Sequence, residues 1–118
     1  MSISPLEFIK HIRDEAEFLR DSVNSIEVGN FINDPVLTRA CVRAIEIIGE
    51  ATKKVSDDFR LKYCGVEWRK MAGMRDRLIH DYFGVDYYIV YDVARNKADH
   101  LVNLMDSIID AEEGRTRR

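Results

Sequence analysis

Apolar side chains recur every three or four residues near the start of the chain, and this spacing is the feature that most restricts the fold. The series is Leu6, Ile9, Ile12, Ala16, Leu19, Val23 and Ile26. Because an α-helix completes a turn every 3.6 residues, these side chains lie on one face of a helix. Ser4, Pro5 and Glu7 stand at the N-cap, the first and the third positions of a helix start. The segment is therefore predicted to form one long amphipathic helix.

A second helix is predicted to start at Asp34-Pro35, which is again a capping residue followed by proline. Its expected buried stripe consists of Leu37, Cys41, Ala44, Ile45, Ile48, Ala51 and Val55. Gly49 lies inside this helix, where glycine costs about 1 kcal/mol relative to alanine. Such a glycine indicates that another helix approaches closely at this point.

Three further helices complete the predicted architecture. A short helix capped by Ser56 covers "DDFRLKY" (57–63), a longer one runs from Glu67 to Tyr82 before Gly84, and the last runs from Asp86 to about Ala111. The buried side of the last helix is expected to contain Val90, Ala94, Leu101, Met105 and Ile108. No segment alternates with a period of two over a useful length. The predicted fold class is all-α, an up-and-down helical bundle of four long helices and one short helix.

Length and charge place further bounds on the protein. A chain of 118 residues is expected to form a single domain, 1–118, with the basic residues 115–118 as a flexible tail. No apolar run approaches the ~20 residues of a membrane span, and the N-terminus lacks the pattern of a signal peptide, so a cytoplasmic protein is expected. The net charge of −3 argues against a protein that coats duplex DNA.

The sequence offers no pattern for a metal or a cofactor. Cys41 and Cys64 are too few and too far apart for a disulfide framework or a zinc site, and each is expected to be a small buried side chain. HExxH, phosphate-loop and carboxylate–histidine patterns are absent. We therefore expect metal-free chemistry without a cofactor.

The stretch "RDRLIHDYFGVD" (75–86) concentrates the side chains that could carry out chemistry. His80 lies four residues after Asp76 and in the last turn of its predicted helix, and both features raise the pKa of the imidazole towards neutrality. An imidazole that titrates near neutral pH can accept and donate protons. The alternative is an ordinary surface pair of histidine and aspartate.

Basic charge is concentrated around the same stretch. Four basic residues, Arg69, Lys70, Arg75 and Arg77, stand against the single acid Asp76, a local charge of 4 − 1 = +3 in a chain of −3. This balance favours an anionic ligand such as RNA phosphate. On a continuous helix, Arg75 and His80 diverge by roughly 140°, so a compact site would form more easily between two copies of the chain. The following tyrosines, 87, 88 and 91, could stack on bases but are also typical of a core or an interface.

The pattern Arg75-x4-His80-x-Tyr82 resembles the RX4HXY motif of the HepT-like family, within the HEPN superfamily of small helical proteins. The segments "RAIEIIGEATKKVS" and "VEWRKMAGMRDRLIHDYFGVD" resemble the second helix and the motif helix of that family. The resemblance covers roughly Leu6 to Ile109. It implies a HEPN-like fold and a homodimer.

The resemblance also implies a function. Such proteins are toxins of toxin–antitoxin pairs and metal-independent endoribonucleases, in which the motif arginine and histidine, here Arg75 and His80, are catalytic. The implied antitoxin is a minimal nucleotidyltransferase (MNT) that silences the toxin by adenylylation (AMPylation) of Tyr82, in a complex that could be larger than a dimer. Arg69, Lys70 and Arg77 are candidates for substrate binding. Asp76, where many relatives carry asparagine, is a candidate for orienting His80 and would also repel phosphate.

Other functions fit the same residues. A non-catalytic HEPN dimer could bind nucleotide or RNA and serve as a scaffold for its nucleotidyltransferase partner. A purely structural helical dimer would need no ligand. Glu50 could face the cleft, although helix packing or a surface position accounts for it more simply.

Overall fold

The computed structural model describes residues 3–78 and 84–114. Its elements in chain order are α1 (Pro5–Ser22), α2 (Val28–Ile32), α3 (Pro35–Lys53), α4 (Asp57–Lys62), α5 (Trp68–Ala72), α6 (Met74–Leu78), α7 (Tyr87–Asp92), a π-helical turn (Val93–Lys97) and α8 (Ala98–Glu112). The predicted all-α fold class is confirmed. Within the described ranges, no helix is long and apolar enough to cross a membrane.

The core lies between α1, α3 and α8, because α1 packs along both of the other long helices. Side chains from the predicted stripes fill it: Ile9, Ile12, Ala16, Leu19, Cys41, Ala44, Ile45, Ile48, Leu101, Met105 and Ile108 are all buried. The helical spacing of apolar residues therefore located the core correctly. Burial of these stripes is the main force that holds the three helices together.

The first helix is shorter than predicted, since α1 ends at Ser22 rather than near Ile26. Ser25 has a φ of 67°, in the left-handed region, where a right-handed helix cannot continue. Val23 is nevertheless fully buried. The chain then forms α2, which the sequence did not predict and which buries Phe31 against the ring of Tyr91, with centroids 5.4 Å apart.

Three of the predicted helix starts are confirmed, each by a capping hydrogen bond. Asp34 accepts hydrogen bonds from the backbone N–H groups of Val36 and Leu37, at the start of α3. Ser56 and Asp86 cap α4 and α7 in the same way. Ser4 occupies the N-cap position of α1, but its side chain makes no capping hydrogen bond.

The predicted fourth helix is not continuous. It is interrupted at Gly73, which separates α5 from α6 and whose backbone N–H donates to the carbonyl of Arg69 at 3.0 Å. Gly49 of α3 lies against this region: a Cβ added there would be 3.4 Å from the carbonyl oxygen of Ala72. The close helix approach that Gly49 indicated is thus present, and it sets α5 against α3. The predicted end of this helix at Tyr82 lies outside the described residues.

The predicted fifth helix is interrupted as well, by the π-helical turn between α7 and α8. In this turn the N–H of Ala98 reaches the carbonyl of Val93, one residue farther than in an α-helix. Val90 and Ala94 before and within the turn are buried, and so are the predicted positions in α8. The extra residue in the turn thus leaves the apolar face directed into the core on both sides. The predicted tail, 115–118, is outside the described part of the chain.

Candidate active site

Arg75 projects from α6 towards α3, with 46% of its side chain exposed. Its Nε donates to Oε2 of Glu46 at 3.3 Å, and its Nη1 lies 3.6 Å from Oδ1 of Asp76. A guanidinium carries five N–H donors, so these two carboxylates do not exhaust its capacity. Arg75 is therefore a partly oriented cation that solvent, or a phosphate, can still reach.

Glu46 is the site residue that sequence analysis missed. It lies within "RAIEIIGE" on α3, one turn before Glu50, which was the acidic residue considered for the cleft. Glu50 is instead exposed, with Oε1 3.7 Å from Nη1 of Arg43. Glu46 has only 26% of its side chain exposed. Glu50, considered for the cleft, lies on the same helix, and only the packing of α6 on α3 shows that Glu46 is the carboxylate that meets Arg75.

The two remaining motif residues, His80 and Tyr82, lie outside the described residues. Their predicted roles, and the predicted effect of Asp76 on His80, stay predictions. The described chain on either side of 79–83 is held together, because the N–H of Asp86 donates to the carbonyl of Leu78 at 3.1 Å. Asp76 itself is exposed, and its recorded contact is with Arg75.

The basic residues near the motif do not form one patch. Arg77 lines a groove with Arg69, Lys70 and Trp68 of α5, whereas Arg75 contacts α3. Residues two apart on a helix point about 200° away from each other, which accounts for the separation of Arg75 from Arg77. The structure thus brings Arg69, Lys70 and Arg77 together and leaves Arg75 on another face of α6.

The sequence interpretation needed correction at one cysteine, and the tyrosines divide between the two alternatives left open for them. Cys41 is buried, and burial raises the pKa of its thiol to about 11, but Cys64 is exposed, so the expectation that both are buried is wrong for Cys64. Tyr91 donates its hydroxyl to the carbonyl of Ile26, so its ring and its polar end are both engaged within the fold. Tyr88 is exposed.

Across residues 3–78 and 84–114, no three histidine, cysteine, aspartate or glutamate side chains cluster as metal ligands would.

Comparison with known proteins gives a consistent result. Residues 12–108 match the model of a family described as "Ribonuclease HepT-like". A relative from Caldanaerobacter subterraneus subsp. tengcongensis, named "Putative RNase TTE0752", is 44% identical over 110 residues, which cover 93% of this chain and 98% of the relative. A relative from Methanocaldococcus jannaschii, named "Putative RNase MJ1216", is 40% identical over 105 residues, which cover 86% of this chain and 87% of the relative.

A third relative, from Thermococcus cleftensis, is named "Probable ribonuclease HepT". It is 36% identical over 95 residues, which cover 80% of this chain and 86% of the relative. No solved structure matches the chain. The family match takes in α3, the motif segment and most of α8, and it agrees with the resemblance carried by Arg75, His80 and Tyr82. The chain therefore belongs to the HepT-like ribonuclease family.

Proposed function

We propose that this protein is a metal-independent endoribonuclease and the toxin of a toxin–antitoxin pair, acting in the cytoplasm. The observation that carries the proposal is the placement of Arg75. Its guanidinium is oriented by Glu46 of a neighbouring helix and still has donors open to solvent. In a chain of the HepT-like ribonuclease family, such a group is suited to hold an RNA phosphate.

His80 supplies the proton transfer in this proposal. A neutral His80 removes the proton from an RNA 2′-hydroxyl, and the 2′-oxygen attacks the adjacent phosphorus. The bond from phosphorus to the 5′-oxygen breaks, which leaves a 2′,3′-cyclic phosphate and a 5′-hydroxyl. The departing 5′-oxygen takes its proton from a protonated His80 of a second copy of the chain. Arg75 stabilises the negative charge on the phosphate oxygens while five oxygens surround the phosphorus.

A homodimer provides the geometry that this chemistry needs. Residues five apart on a regular helix diverge by roughly 140°, so a dimer would allow Arg75 of one copy to act together with His80 of the other. Asp76 would orient His80 and favour its protonated form. The basic residues Arg69, Lys70 and Arg77 would bind the phosphates of the substrate farther along the strand.

Tyr82 is the proposed site of control. An MNT-type nucleotidyltransferase antitoxin would transfer AMP from ATP to the phenol, so that the tyrosine oxygen bonds to the α-phosphorus and pyrophosphate leaves. The added phosphate and nucleoside would occupy the space that RNA needs next to His80. Repulsion between the new phosphate and the RNA backbone would act in the same direction. The antitoxin and the toxin dimer would together form a larger complex.

A second candidate function has one observation in its favour. Glu46 and Asp76 both lie near Arg75, so the local charge of these three side chains is 1 − 2 = −1. A net negative site holds phosphate less tightly than a bare arginine does. This favours a non-catalytic dimer that binds nucleotide or RNA weakly and serves as a scaffold for its nucleotidyltransferase.

Cleavage of RNA in excess EDTA separates the two functions. Protein shown by mass spectrometry to be unmodified at Tyr82 is compared with the variants Arg75→Ala and His80→Ala. The ribonuclease proposal expects cleavage by the wild type, and strong loss in each variant with the helical content retained. Binding of RNA without cleavage, by protein that carries no AMP, would support the scaffold function instead.

A further inference from the structure

A second groove lies on the side of α6 away from Arg75. It has a volume of about 640 Å³ and separates α5 and α6 from the π-helical turn and α8. Its floor is apolar and consists of Leu19, Ile48, Met71, Met74, Val93, Ala98, Leu101 and Leu104. A volume within about 300–1,000 Å³ and a mainly apolar lining are typical of sites for small molecules.

The rim of this groove is cationic. Lys70 comes from α5, Arg77 from α6 and Lys97 from the π-helical turn, and Glu67 is the acidic residue among those that line the groove. Their formal charge is 3 − 1 = +2, in a chain whose net charge is −3. Three separate elements thus direct positive charge to one opening.

The surroundings of Glu67 show that these cations converge. Lys70 Nζ lies 2.7 Å from Glu67 Oε2, and this hydrogen bond is the largest cause that holds the pKa of Glu67 below its ordinary value. Lys97 and Arg77 lower the same pKa through their charges. Lys70, Arg77 and Lys97 therefore all act on Glu67, and with this one carboxylate among them they leave the rim positively charged.

The π-helical turn selects which side chains reach the groove. Arg95, Asn96 and Lys97 of this turn are all exposed, but Asn96 and Lys97 line the groove and Arg95 does not. Turns of this kind are frequent at functional sites. Lys97 is thus directed to the groove and Arg95 away from it. Because the two basic residues are close in the sequence, they form a matched pair for an experiment.

We propose that this groove binds a nucleotide of single-stranded RNA away from the scissile bond, with its phosphate at Lys70, Arg77 and Lys97 and its base over the apolar floor. The inference rests on the proposed ribonuclease function and adds a substrate subsite to it. Arg75 and Arg77 lie on opposite faces of α6, one helix diameter (~10–12 Å) apart, so a strand that passes around α6 reaches both the cleavage site and the groove. This continuity favours RNA over an acidic peptide, which the same charges would also attract.

The test compares Lys97→Glu with Arg95→Glu, which change the net charge equally. Both are made in a His80→Ala background, so that a fluorescently labelled single-stranded RNA stays intact during titration at several salt concentrations. Lys97→Glu is expected to weaken binding roughly tenfold and to reduce the slope of log affinity against log salt by about 0.7, the loss of one phosphate contact. Arg95→Glu is expected to stay within about twofold of the background protein. Thermal unfolding of both variants checks that the fold is retained.

The outcomes distinguish this inference from the ribonuclease proposal. If the wild type cleaves RNA but the two variants bind it alike, the groove subsite is overturned, the ribonuclease proposal stands, and the groove is free for an acidic segment of a partner protein. If the His80→Ala protein binds RNA and the wild type does not cleave it, the ribonuclease proposal fails, while the contrast between Lys97 and Arg95 still decides the subsite. If none of these proteins binds RNA, the groove subsite is overturned, and the ribonuclease proposal falls with it when the wild type also fails to cleave.

Discussion

The ion pair between Glu46 and Arg75 gives the prediction that follows most directly from the structure. Opposite charges about 4 Å apart attract by ~1 kcal/mol in water and by ~4 kcal/mol near a protein surface. The exposed fractions of the two side chains, 46% for Arg75 and 26% for Glu46, place this pair towards the screened limit. Measured pairs of this kind contribute about 0.2–1 kcal/mol, so Glu46→Ala is expected to lower Tm by no more than about 4 °C.

The expected effect of Glu46→Ala on activity is much larger than its effect on stability. Without the carboxylate at 3.3 Å, the guanidinium of Arg75 is free to move, and a displacement of about 1 Å at a reacting group can cost ~100-fold in rate. We therefore expect kcat for RNA cleavage to fall by about two orders of magnitude. Glu46→Gln retains an acceptor oxygen for the Nε–H of Arg75 and is expected to recover most of the rate.

Glu50→Ala is the matched control, since Glu50 lies one turn farther along α3, loses the same charge and contacts Arg43 rather than Arg75. It is expected to cleave RNA at the wild-type rate. Steady-state kinetics on protein unmodified at Tyr82, with the unfolding temperature of each variant measured in parallel, give the answer. Wild-type kcat in Glu46→Ala, or an equal loss in Glu50→Ala, would refute the positioning of Arg75 by Glu46.

Three further predictions concern stability and control. Asp34→Ala removes two capping hydrogen bonds and should lower the free energy of unfolding, measured by chemical denaturation, by about 1 kcal/mol. Ser4→Ala should leave the free energy of unfolding unchanged, because the Ser4 side chain makes no such bond. Equal losses in the two variants would contradict the assigned caps. Tyr82→Phe should retain RNA cleavage but resist the antitoxin and take up no AMP, as intact mass measures; a mass gain equal to that of the wild type would place the modification elsewhere. In the folded protein the pKa of Glu112 lies below its ordinary value of 4.5, and the hydrogen bond from Lys62 is the largest cause. The charged carboxylate therefore stabilises the fold above pH 4.5, and this stabilisation is lost as the pH falls through the lower pKa of the folded state. Tm should therefore fall less steeply on acidification in Glu112→Gln than in the wild type, and parallel curves would exclude this contribution.

Local features of the sequence predicted those parts of the fold that depend on neighbouring residues. Asp34 and Asp86 cap the helices as expected, because a cap needs only a side chain and the next two or three backbone N–H groups. The apolar stripes identified the core for a similar reason, since helical spacing fixes which side chains share a face. Gly49 indicated a close helix contact, and α5 makes it.

Features that depend on packing between distant segments could not be read from the sequence in the same way. The left-handed Ser25, the break at Gly73 and the π-helical turn each interrupt a regular apolar pattern that by itself predicts a continuous helix. The pairing of Glu46 with Arg75 joins residues 29 apart. The groove rimmed by Lys70, Arg77 and Lys97 likewise depends on how α6 lies against the π-helical turn.

The chemical ends of cleaved RNA test the central claim most directly. A single-stranded RNA is incubated with the unmodified protein in excess EDTA, and the masses of the fragments are measured by mass spectrometry. The same oligonucleotide with a 2′-deoxy sugar at the cleaved position is treated in parallel. Proton removal by His80 with phosphate held at Arg75 predicts 2′,3′-cyclic phosphate and 5′-hydroxyl ends, and no cleavage at the 2′-deoxy position. Fragments with 3′-hydroxyl and 5′-phosphate ends, or cleavage at the 2′-deoxy position, would contradict attack by the 2′-oxygen.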